Sequence, residues 1–150
     1  MKKFSYYKQE TNYTCGAAAM RMALESFGIR RSEKQVARVL KTNKVRGTWP
    51  RNFTPVAERF KLNHATMRNA TIKDLKEFQK KGYIIIVCYS PTGITCDHYS
   101  VVKRVDNKKI YLLDPDIGED HEYSLTFFRR IWKCDPRYDD ERGWFFAVKK

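Results

Sequence analysis

The chain has 150 residues, 42% hydrophobic and 14% aromatic, which excludes a disordered or fibrous protein and suits a single domain over residues 1–150. Its 30 Lys and Arg against 17 Asp and Glu leave a formal charge of +13, enough to favour polyanions at low salt. The basic residues are spread along the chain, Lys2, Lys41, Lys80, Arg129 and Lys150 among them, as on a solvated basic surface.

The start, Met1-Lys2-Lys3-Phe4-Ser5, carries no apolar run, so no secretory signal is expected. The longest purely apolar stretch, Ile84 to Cys88, is too short to cross a bilayer. A cytoplasmic protein without a membrane span is the expectation. The four cysteines, Cys15, Cys88, Cys96 and Cys134, have no ligand spacing, which predicts neither a zinc site nor a disulfide framework. At least three of them read as ordinary free thiols, and no cofactor is expected.

In chain order, Cys15 to Gly28 is rich in helix formers, apolar nearly all round and closed by a glycine, as a buried central helix would be. Ser32 with Gln35 forms a capping-box signal for a second short helix through Val36, Val39 and Leu40. Pro50, or Thr54-Pro55, opens a third through Val56, Ala57 and Phe60. Thr71 caps a fourth, with Ile72, Leu75 and Phe78 on one face and Gly82 at its end. Tyr83 to Tyr89 is then a continuous β-branched and aromatic run, a strand buried on both faces. Tyr99 to Val105 and Lys109 to Leu113 flank Asp106-Asn107 as a hairpin, followed by a helix over Leu125 to Trp132 and a strand over Trp144 to Val148. Helices first and sheet last argue α+β, a helical lobe packed on an antiparallel sheet.

Cys15 stands where the first helix begins, and free amide N–H groups with the helix dipole stabilise a thiolate there. Gly16 would leave room for an incoming carbonyl. His98 begins the first hairpin strand and Asp114 ends the second. A two-residue loop at Asp106-Asn107 would set His98 opposite Pro115 and turn Asp114 to the other face. An odd loop such as Val105 to Asn107 pairs His98 directly with Asp114, Val102 with Ile110 and Ser100 with Leu112, placing a base and its orienting carboxylate on one rim. Gln9, six residues before Cys15, could aim its amide at an oxyanion beside the Cys15 N–H. His64, His121, Asp97 and Asp116 are reserve candidates without comparable hairpin geometry.

These residues resemble the papain-like cysteine peptidases that remove double-glycine leaders from bacteriocins and related peptides. Gln9, five residues, then Cys15-Gly16 and a small-residue helix are similar to the family's first motif. His98-Tyr99-Ser100-Val101-Val102 and Leu113-Asp114-Pro115-Asp116-Ile117-Gly118 are similar to its second and third. Gly47-Thr48 and the Phe128–Trp132 spacing also look like family landmarks. The resemblance, from Tyr6 to Val148, implies a papain-like fold and a cysteine peptidase acting on a peptide or protein. In it Cys15 is the nucleophile, His98 the base, Asp114 the orienting carboxylate and Gln9 the oxyanion donor. It further implies a separate ABC transporter as partner, since the best-known members are N-terminal parts of transporters. One departure is Thr14 before Cys15, where an acidic residue is common. Two other readings stay open: a basic module binding nucleic acid or an acidic partner, and a non-peptide acyl hydrolase or transferase. No specific nucleic-acid motif supports the former.

Overall fold

The structure, a computed structural model, describes residues 3–92, 97–138 and 141–150. Cys96 lies outside the described residues. Helix α1 (Cys15–Glu25) buries nine of its residues, Cys15 through Met20 with Met22, Ala23 and Leu24, as its nearly all-round apolar sequence requires. It stops where Gly28 takes a positive φ of 80° and donates its N–H to the Glu25 carbonyl. The capping box at Ser32 and Gln35 starts α2 (Glu33–Val39). Pro50 opens a 3-10 turn, Pro50–Asn52, that runs into α3 (Phe53–Arg59). Thr71 caps α4 (Ile72–Lys80), reciprocated by Asp74.

Six strands form one antiparallel sheet. They are β1 (Asn63–Met67), β2 (Ile84–Tyr89), β3 (His98–Val105), β4 (Lys109–Asp114), β5 (Gly118–Ser124) and β6 (Phe145–Lys149), in the order β1-β6-β2-β3-β4-β5. β2 lies inside the sheet and every residue in it is buried, as its uninterrupted apolar run predicts. Ile84, Ile86 and Cys88 share a core with α1, α2 and α3 on one face. Ile85, Val87 and Tyr89 share a second core on the other, closed by α4 and by α5 (Leu125–Ile131). Helices therefore cover both faces, with α1–α3 forming the N-terminal layer against the later sheet. Two strands have no counterpart among the expected elements. Both are edges: β1 is short and only partly buried, and β5, Gly-Glu-Asp-His-Glu-Tyr-Ser, carries acidic residues suited to an exposed edge.

The hairpin register differs from the one expected. Asp106 and Lys109 close a two-residue loop through an N–H to carbonyl bond of 3.0 Å, and Val105 faces Ile110. That loop alone would turn His98 and Asp114 to opposite faces. A bulge between Val102 and Arg104, with Lys103 as the extra residue, shifts the register so that Val102 faces Leu112, not Ile110. Carried on from Val101 opposite Leu113, it sets Ser100, not His98, across from Asp114. His98 is then a diagonal neighbour on the same face, within reach of an imidazole ring. No helix among the described residues is long and apolar enough to cross a membrane.

Candidate active site

Cys15 is the first residue of α1, and its N-cap, Thr14, makes no side-chain cap. The Thr14 hydroxyl turns to Thr11 instead, lying 2.8 Å from that hydroxyl and accepting its N–H at 3.1 Å. Beneath this loop Glu33 is 1% exposed, and its carboxylate accepts the Glu10 N–H at 3.0 and 3.2 Å. Burial raises the Glu33 pKa, opposed by hydrogen bonds from Thr14 and Glu10. The first turn of α1 thus keeps side-chain caps away and leaves its amide N–H groups without a side-chain acceptor from Thr14.

The base candidate comes from the sheet. His98, at the head of β3, directs Nε2 to Asp114 Oδ1 at 2.7 Å. Cys15 is near enough to the ring to contribute to its proton affinity, and with Nε2 engaged Nδ1 is the nitrogen left for the thiol. Burial would lower the His98 pKa, yet the hydrogen bond to Asp114 and the contribution of Cys15, with the charges on both, push it up to about 10. Asp114 is fully buried and fully engaged. Its Oδ1 also accepts the Asp116 and Ile117 N–H groups at 2.8 and 3.1 Å, and its Oδ2 accepts the Tyr89 hydroxyl at 2.9 Å. Burial works against the carboxylate, but the His98 bond and these backbone donors hold its pKa down at about 2.

The N-terminal segment ties the two sides together. Tyr6 donates its hydroxyl to the Asp114 carbonyl at 2.6 Å, and the Gln9 N–H reaches the Pro115 carbonyl at 2.8 Å. The Gln9 side chain spends one amide hydrogen on the Thr11 carbonyl at 2.8 Å. Its Oε1 is buried without a hydrogen-bond partner among the described residues. Beside Cys15 lies a cleft of about 200 Å³, walled by Tyr13, Thr48, Tyr99, Arg46 and Tyr138. Gly16 serves this wall in a way the sequence did not suggest. A Cβ there would stand 2.8 Å from Thr48 Oγ1 and 3.2 Å from the Tyr99 ring, so the glycine lets α1 meet the 48–99 wall rather than clearing a path for substrate.

The reserve candidates go elsewhere. His64 stacks on Phe146, His121 packs edge-on to Tyr123, and Asp116 contributes its backbone N–H to Asp114. Asp97 pairs with Arg46 at 2.8 Å, both side chains nearly buried. Sequence reasoning passed over Tyr89, Ser100, Tyr6 and Glu33. Tyr89 and Ser100 hydroxyls lie 2.7 Å apart beneath Asp114, and polar groups inside an apolar strand were the available signal.

A family model described as the peptidase C39 family matches residues 3–134. The chain belongs to that family. It is a cysteine peptidase, with the fold of the family's peptidase domains. A protein of Methanothermobacter marburgensis is 31% identical over 111 residues, 74% of this chain and 71% of that one. The peptidase domain of Streptococcus ComA, a bifunctional ABC transporter of a quorum-sensing pathway, superposes with a TM-score of 0.73 at 20% identity, covering 99% of this chain and 98% of that domain. A double-glycine-motif protease from an AMS/PCAT transporter, solved with its leader peptide, gives 0.73 at 19% identity over 99% and 94%. At these identities the two structures speak for the C39 fold.

Proposed function

We propose that this C39 peptidase cleaves a peptide bond that follows a double-glycine leader, with Cys15 as nucleophile, His98 as base, Asp114 as orienting carboxylate and Gln9 as oxyanion donor. The observation that carries this reading is the His98 ring held by Asp114 Oδ1 at 2.7 Å, with Cys15 at the head of α1 acting on the same ring. His98 takes the Cys15 proton, and the sulfur attacks the scissile carbonyl. The oxyanion meets the Cys15 N–H and the amide hydrogen of Gln9 that Thr11 does not use. The tetrahedral species collapses as His98 returns its proton to the leaving amine. Water, deprotonated by His98, then opens the thioester and frees the leader carboxylate. Asp114 keeps the ring in the tautomer and orientation these transfers need.

The walls of Thr48 and Tyr99 beside Cys15 suit residues without side chains next to the scissile bond. The relatives that are transporter domains support a separate ABC transporter as the partner that exports the trimmed product. The deciding experiment incubates the protein with peptides that do and do not carry a double glycine and locates cuts by mass spectrometry. Cleavage after Gly-Gly, lost in Cys15→Ala, supports the reading. Cleavage indifferent to both glycines overturns the substrate assignment, and undiminished cleavage by Cys15→Ala overturns the nucleophile.

A further inference from the structure

A second group of chemistry-bearing side chains adjoins the cleft, whose lining includes Asp97, and the candidate triad does not use it. The sulfurs of Cys88, at the end of β2, and Cys134, after α5, and a carboxylate oxygen of Asp97 lie within 4.8 Å of one another. Both thiols are buried, Cys88 completely and Cys134 to within 2%. Nothing in their linear spacing announces this, because the three come from separate segments that only the sheet brings together.

Two buried thiols that served only as small apolar groups would gain nothing from a carboxylate beside them, since burying a charge is costly unless it is matched. Asp97 is instead held at both oxygens. Oδ2 accepts Arg46 Nη2 at 2.8 Å, and Oδ1 accepts the Asp135 backbone N–H in a very short contact. Outer partners that orient a carboxylate in this way are what a metal ligand needs. Arg46 is fixed in turn, its guanidinium 4.5 Å from the Trp49 ring centre and 4.6 Å from that of Tyr138.

We propose that Cys88, Cys134 and Asp97 form a binding site for a soft divalent cation of the Zn²⁺ type. Two sulfurs and one carboxylate oxygen are donors that zinc accepts, with a fourth tetrahedral position left for water. On binding, each thiol releases its proton to solvent, and each thiolate replaces one water of the hydrated ion. Charge then balances inside the protein: the ion and Arg46 offset two thiolates and Asp97.

The test uses the full-length Cys15→Ala protein under reducing conditions, so that the candidate nucleophile supplies no sulfur. Co²⁺ added as probe should give a sulfur-to-cobalt charge-transfer band that saturates at one ion per chain and is displaced by Zn²⁺. Cys88→Ser and Cys134→Ser should each lose the band. Asp97→Asn should keep it with affinity weaker by at least about tenfold, since even an outer partner of a metal ligand is worth that much. Variants are compared only where the far-UV spectrum stays native. Independently of any substitution at the site, Zn²⁺ should protect Cys88 and Cys134 from alkylation, read residue by residue in a mass spectrometer. Absence of the band and of protection, or a band that survives loss of both cysteines, overturns the site. Neither result touches the peptidase reading, whose residues are different.

Discussion

At the scale of single residues the candidate site separates what is reached from what is braced. Cys15 and His98 are each 9% exposed, whereas Asp114 is closed off entirely. Cys15→Ala and His98→Ala should abolish turnover. Asp114→Asn should leave residual turnover, because it removes orientation and keeps the nucleophile. Gln9→Ala should lower kcat by about 10²- to 10³-fold, the usual effect of one lost oxyanion donor. These four are measured together on one peptide; a Gln9→Ala enzyme with unchanged kcat removes that residue from the mechanism. Asp114 also sets a pH dependence of stability. Its folded pKa of about 2 lies below the ordinary 3.8, so its ionised form stabilises the fold above about pH 4. That contribution fades as pH falls from 3.8 through about 2. Thermal unfolding against pH should therefore show the parent losing its advantage over Asp114→Asn in that window, and parallel curves would contradict it.

At the scale of elements, the most informative contact is α1 against the wall made by Thr48 and β3. Gly16→Ala should destabilise the fold by about 1–3 kcal/mol, the usual cost of overpacking a tight contact, since the added Cβ falls 3.0 Å from Thr48 Cβ. Denaturant unfolding checks it, and adding Thr48→Ala should recover part of the loss. Elements whose signals are local were legible: the Ser32 and Thr71 caps, the Gly28 stop and the all-buried β2. The edge strands β1 and β5 were not, because edges gain little from burial and so carry no apolar alternation. The hairpin shows a subtler limit. The expected odd loop and the observed even loop with a bulge at Lys103 bring His98 and Asp114 to the same face. Facial parity could be argued from the two end residues, but the pairing itself depends on a one-residue insertion that no residue type announces. Tyr89 and Ser100 escaped notice for a related reason, since their value as partners of Asp114 exists only after three strands are side by side.

For the whole molecule the charge of +13 is the feature the site does not absorb. Basic side chains distributed over the surface predict weak association with nucleic acid that falls steeply with salt, and no tight complex near physiological salt. A sub-micromolar, salt-resistant complex would return the binding-module reading to first place. The α+β architecture was legible from the order of elements, and the C39 assignment from three separated motifs; the gathering of Cys88, Asp97 and Cys134 was legible from neither. Tyr6 and Gln9 are stitched to the carbonyls of Asp114 and Pro115, and Asp114 in turn braces His98. A ribosome that has made only the first hundred residues holds a chain with its thiol and its imidazole, but with nothing to brace the ring and no anchor for the strand that carries Gln9. On the proposed assignment, proteolytic competence therefore arrives late in translation: β4 must supply Asp114, and β6, seated between β1 and β2, must complete the sheet before the site is assembled.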